Sequence, residues 1–148
     1  MPEEKIFGIV PHEHSQRRTD FLYRVSLKCL IRNDNGKVLV VKEANRTWWD
    51  LPGGGMDHGE SIKAALAREM REEVSLTGGF TYRIIAVEEP KVLEAFSFWQ
   101  IRLIFELSPD NMVFSPGEDG DEVTFVDPAA FKDSNVLAEQ GVYRFGQL

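Results

Sequence analysis

From Ser61 to Val74 the chain reads SIKAALAREMREEV, a run without glycine or proline that begins with a serine suited to cap a helix. The spacing predicts a helix over this stretch. With Ile62 set at zero and about 100° per residue, Leu66 falls at about 40° and Ala65 at about 300°, while Glu69 falls at about 340° and Glu73 at about 20°. Glu72 flanks them at about 280°, and Lys63, Ala67 and Arg71 occupy the other half. Two carboxylates therefore continue the apolar, core-facing side, whereas a solvated charged face lies opposite it. A carboxylate turned inward needs a partner, because buried charges are paired or bound to metal. Glutamates at i, i+3 and i+4 also repel one another. A cation relieves both problems, and hard oxygen donors suit Mg²⁺ or Mn²⁺. A structural salt-bridge network is the other reading, with Arg68 within reach of Glu72 at i+4.

Ahead of this helix stands Leu51-Pro52-Gly53-Gly54-Gly55. Glycine admits close backbone approach and positive φ, and a helix start nearby favours anions. Alone, such a run is more often a flexible turn. Beside three convergent acids it belongs to a site.

The 148 residues suit one domain spanning 1–148. Strands are expected over Tyr23 to Arg32 and Lys37 to Glu43, joined through Asn33-Asp34-Asn35-Gly36, a strong hairpin signal. Further strands are expected over Phe80 to Glu89 and Phe96 to Leu107, separated by Pro90, and over Glu122 to Val126. A loop covers Ser108 to Gly120. Pro128 opens a short helix, with another helical turn over Asn135 to Gln140. Residues 1–20 read as a short strand and an irregular segment, in which His12 and His14 are surface groups or lid contacts. This mixture points to an α/β or α+β fold, a mixed sheet covered by helices.

The formal charge of −7 argues against a nonspecific grip on nucleic acid, which needs a basic footprint. It allows a phosphorylated small substrate if divalent cations stand between. Cys29 is the only cysteine, so no internal disulfide forms, and its apolar surroundings predict a buried inert thiol. With no signal-like or membrane-spanning stretch, the cytoplasm is the expected location.

Gly54, five residues, Glu60, seven residues, then Arg68-Glu69-Met70-Arg71-Glu72-Glu73-Val74-Ser75-Leu76 resembles the box of the Nudix (MutT-like) hydrolases. That pattern runs Gly, five residues, Glu, seven residues, Arg-Glu, an aliphatic, any residue, Glu-Glu, any residue, Gly, an aliphatic. One position departs: Ser75 stands where the family has glycine. That glycine ends the helix in a left-handed conformation, which costs another residue about 1 kcal/mol. Gly78 and Gly79 are expected to take over the turn.

The resemblance implies a Nudix fold, an α/β/α sandwich around a mixed β-sheet. It also implies Mg²⁺- or Mn²⁺-dependent hydrolysis of the diphosphate linkage in a nucleoside diphosphate joined to another group. Nucleoside triphosphates come first as substrates, with ADP-ribose or a nucleotide sugar as the alternative. By position, Glu69, Glu72 and Glu73 are implied metal ligands, with the Gly53 carbonyl as a further one. Glu60 and Arg68 are implied supports of loop and helix, and Gly54 and Gly55 lie beside the substrate. The loop GEDGDE offers Glu118 and Glu122 to complete the metal site or activate water; a solvated acidic turn is the plainer reading. Trp49 and Trp99, with Trp48, Phe96 and Phe98, are candidates to stack a base or to pack in the core. Pro90 resembles the marker of an ADP-ribose subgroup, displaced by about one position, and also reads as a turn proline. The implied partner is a small nucleoside diphosphate derivative, with no nucleic acid, no membrane, and the homodimers common in the family. The rival readings are a catalytically silent Nudix-like nucleotide-binding or regulatory domain and a metal-free acidic interaction surface.

Overall fold

The computed structural model describes residues 9–10, 20–93, 95 and 98–148. His12, His14 and Phe96 lie outside them. The chain runs β1 (Ile9–Val10), β2 (Asp20–Phe21), β3 (Tyr23–Leu30), β4 (Val38–Glu43), β5 (Gly53–Gly55), α1 (Ile62–Val74), β6 (Phe80–Leu93), β7 (Phe98–Pro109), β8 (Gly120–Val126), a 3-10 turn (Pro128–Phe131) and α2 (Leu137–Gly146). Strands β5-β3-β7-β6 form one mixed sheet, parallel only between β3 and β7, while β4-β8 and β1-β2 form separate antiparallel pairs.

The expected hairpin turn after β3 is present. Asn33 Oδ1 accepts from the Asn35 and Lys37 amides, and Gly36 adopts φ 74°. Alternation along β3 then sorts its side chains between the sheet's two faces. Leu27 and Cys29 join Leu66, Met70 and Val74 of α1, with Phe105 and Leu107 of β7. Leu30 and Ile104 join Phe131, Val142 and Phe145 under α2. Helices thus cover both faces, as an α/β sandwich requires. Burial pushes the Cys29 thiol pKa well up, consistent with an inert role.

Three expectations need correction. Pro90 does not end a strand: β6 continues through it to Leu93. β6 is an edge strand, and its register shifts between Glu88 and Lys91, so the missing amide is tolerated. α2 extends well past Gln140 because Val142 and Phe145 bury an apolar face. Ile62, counted with the inward side of α1, is 37% exposed because the first turn overhangs the core.

The helix end also differs. Ser75 itself takes the left-handed conformation, φ 56° and ψ 31°, and its amide donates to Met70 O. Gly78 has φ 88° but lies beyond the helix. Ser75→Gly is therefore expected to raise stability by about 0.5–1 kcal/mol, read as a higher melting temperature. A lower one would mean that the Ser75 Oγ bond to Pro116 O, 3.3 Å, outweighs the strain. No helix among the described residues is long and apolar enough to cross a membrane.

Candidate active site

Ser61 Oγ accepts from the Ala64 amide at 3.1 Å and fixes the start of α1. Glu69 and Glu73 then point inward as the helical period predicts, at 7% and 4% exposure. They face β5, a strand made of glycines alone. Gly53 has φ 136°, and a Cβ there would run into the Leu27 carbonyl. A Cβ on Gly54 would lie 2.7 Å from the Glu69 carboxylate oxygens, and one on Gly55 would lie 2.5 Å from Arg24 Nη2. The bare strand thus lets the acids of α1 approach from one face and Arg24 from the other. The Gly53 amide donates to Glu73 Oε2 at 2.8 Å.

Arg68 gathers the remaining groups. Its Nε and Nη2 donate to Glu60 at 2.8 Å each, Nη2 also to Gly55 O at 2.9 Å, and Nη1 to Glu69 at 2.9 Å and Glu72 at 3.2 Å. The Arg68 hydrogen bonds, followed by the Asp57 amide, hold the Glu60 pKa down to about 2. Glu69 is shifted the other way, because burial outweighs what Arg68 supplies. Burial likewise raises Glu73 to about 8, against the opposing pull of Lys28 and the Gly53 amide. The protein's own cations do not fully compensate these two carboxylates.

Lys28, Asp50 and Arg102 complete the centre and were not singled out in the sequence. Buried Lys28 donates to Leu51 O at 3.2 Å and Gly53 O at 3.0 Å, and pairs with Asp50 at 3.1 Å. Burial alone would lower its pKa, but Asp50 and then Glu73 hold it above the ordinary lysine value. Arg102 lies 3.7 Å from Asp50 and 3.5 Å from Glu88. The available signal was the alternation Arg24, Ser26, Lys28 inside an otherwise apolar strand, which places three polar side chains on one face.

These groups line one cavity of about 620 Å³. Its walls include Gly53, Gly54, Gly55, Glu69, Glu73, Glu43, Lys28, Arg24, Arg102 and Glu118. Glu118 is held there by its loop, whose amides cap the end of α1: Ser115 to Val74 O at 3.1 Å, Gly117 to Glu73 O at 3.1 Å and Asp119 to Glu72 O at 3.0 Å. Glu72 opens instead onto a neighbouring groove with Glu118. Glu122 is exposed on β8, paired with Lys42 at 3.8 Å, and is not on the cavity wall. Trp49 packs against the α2 core, donates its amide to Glu139 at 3.0 Å and lies 4.7 Å from the Lys42 ammonium. Trp99 is half-exposed on β7 and also off the cavity wall.

Among the described residues, no three His, Cys, Asp or Glu side chains stand close enough to hold one ion. Arg68 draws Glu69 and Glu72, and the Gly53 amide draws Glu73. The donors nevertheless fit a hard divalent cation in chemistry and in charge. They are carboxylate oxygens, two of them buried beyond what the protein's cations offset.

The NUDIX domain family model matches residues 22–144. A relative described as RNA pyrophosphohydrolase, from Ruthia magnifica subsp. Calyptogena magnifica, is 41% identical over 71 residues, 48% of this chain and 38% of its own. A putative 8-oxo-dGTP diphosphatase from Bacillus subtilis is 33% identical over 70 residues, 47% of each chain. The matched stretches thus span less than half of these relatives. The crystal structure of a MutT protein from Methanosarcina mazei Go1 superposes with a TM-score of 0.64 at 22% identity, over 84% of this chain and 93% of that one. That likeness shows a shared fold.

Proposed function

The chain belongs to the NUDIX family, and from that membership we propose that it is a metal-dependent pyrophosphohydrolase of nucleotides, with nucleoside triphosphates as its first substrate class. The observation that carries this reading is the pair of buried, under-compensated carboxylates, Glu69 and Glu73, facing a glycine strand whose other face meets Arg24. The relatives described as an RNA pyrophosphohydrolase and a putative 8-oxo-dGTP diphosphatase support a phosphoanhydride of a nucleotide as the substrate class.

In this proposal Glu69, Glu72 and Glu73 hold Mg²⁺ or Mn²⁺, with the Gly53 carbonyl as a further donor; that oxygen accepts from Lys28 in the structure. The bound ions would neutralise the diphosphate charge and acidify a water. Arg68 and Glu60 keep the α1 acids and the β5 carbonyl edge in register. Gly54 and Gly55 let the substrate phosphates approach backbone. A carboxylate within hydrogen-bond reach, with Glu118 the candidate on the cavity wall, takes the proton of the attacking water. Water adds to phosphorus, the bridging P–O bond breaks, and two phosphate-bearing products leave. A cytoplasmic location and small nucleotides as partners belong to the same proposal.

The test is turnover of a panel with Mg²⁺: nucleoside triphosphates, ADP-ribose and nucleotide sugars, with products identified. Activity on a triphosphate that a chelator removes and added Mg²⁺ restores is the expected result. Turnover of ADP-ribose alone would move the substrate class. Tight nucleotide binding without turnover of anything would indicate a silent binding domain.

A further inference from the structure

The cations on the cavity wall are not equivalent. Lys28 is held by Asp50, Arg102 lies between Asp50 and Glu88, and Arg46 pairs with Glu43 at 2.8 Å. Arg24 has neither carboxylate nor hydrogen-bond partner among the described residues, although it lines the same cavity. It is also oriented. Its Nη2, Cζ and Nε lie 2.5, 2.7 and 2.8 Å from where a Cβ on Gly55 would stand, so the guanidinium rests flat over the bare backbone of β5. In the parallel register of β3 and β7 it stands beside Gln100, also on the cavity wall, and Ser26 stands beside Arg102. A donor surface of guanidinium and amide therefore lies across the glycine strand from Glu69 and Glu73.

A diphosphate seated over the α1 acids accounts for the acidic side of this cavity and leaves Arg24 without a use. We propose that Arg24, with Gln100, forms a subsite for a second phosphate group of the substrate, one that lies outside the scissile diphosphate. A planar guanidinium held against backbone presents paired N–H donors, a match for phosphate oxygens that a flexible ammonium lacks. Among the nucleoside triphosphates of the proposed function, those carrying a further phosphate on the ribose are then bound in preference to unsubstituted ones. This inference rests on the proposed function, because both use one cavity.

Equilibrium binding in Ca²⁺ tests it without requiring turnover. ATP is compared with adenosine 3′-phosphate 5′-triphosphate on the wild-type protein, on Arg24→Gln and on Arg24→Lys. Arg83→Gln serves as control, because Arg83 is exposed and pairs with Glu106 away from the cavity. The extra phosphate is expected to tighten wild-type binding about tenfold or more, the effect of a charge-assisted contact. That gain should vanish in Arg24→Gln, recover in part in Arg24→Lys and persist in Arg83→Gln. Equal affinity for the two nucleotides, or a preference that survives Arg24→Gln, overturns the subsite. An Arg24-dependent preference in a protein that hydrolyses neither nucleotide supports the subsite and counts against the hydrolase reading alone.

Discussion

Glu73→Gln is expected to lower turnover by about 10²–10⁴-fold while making the metal-free protein more stable at pH 8. The two effects have one origin. Glu73 is buried beside the Gly53 amide, and burial lifts its pKa to about 8. The folded state therefore keeps a proton that the unfolded chain releases near pH 4.5. Stability falls as pH rises from about 4.5 through about 8, because over that window the folded state binds more protons. Glutamine keeps the shape and carries no charge, so this slope should disappear from the melting-temperature profile measured in a chelator. At pH 8 the gain is about 1–3 kcal/mol. Mg²⁺ should stabilise the wild-type protein at pH 8 and do much less for the variant. A variant that melts with the wild-type pH slope, or that keeps full activity, would remove Glu73 from the centre of the site.

Arg68→Ala should be the second most damaging change, through a different route. One guanidinium satisfies Glu60, Glu69, Glu72 and the Gly55 carbonyl together. Its loss leaves Glu69, already short of compensation, with no ion pair among the described residues and only the longer-range attraction of Lys28. It also frees Glu60, whose pKa should rise from about 2 toward the ordinary carboxylate range. Activity is expected to fall about 10–100-fold, as for other groups that orient ligands. Stability should fall by about 1–3 kcal/mol. Arg68→Lys should not rescue it, because an ammonium cannot donate along the several fixed directions of the fork. Metal titrations followed by melting would separate weakened ion binding from general loss of fold. Unchanged activity in Arg68→Ala would assign the hub to stability alone.

Where the sequence was informative, the information was local. The helical period placed Glu69 and Glu73 on the apolar side of α1, and both are buried there. Ser61 announced the helix start, Asn33 and Gly36 the hairpin, and Gly53 to Gly55 the close approach of backbone to side chains. Where it misled, local rules competed. Glycines at 78 and 79 looked like the natural helix stop. Ser75 takes the left-handed turn because its amide reaches Met70 O there, and a loop from Ser115 to Asp119 covers the other carbonyls. Pro90 looked like a strand end, but an edge strand with a shifted register has no use for the missing amide.

The cationic side of the cavity depends on distance rather than period. Lys28 sits within the apolar run VSLKCLI, and nothing nearby in the chain names its partners. Asp50 reaches it, and Arg102 reaches Asp50, only once β3 lies antiparallel to β5 and parallel to β7. The same pairing sets Arg24 beside Gln100 and over Gly55. The sequence by itself determined the acid-bearing helix, its cap and the bare glycine strand, because each follows from torsions and periods within a few residues. Only the tertiary structure decided which cations face those acids, since strand register couples residues far apart in the chain and no local preference encodes it.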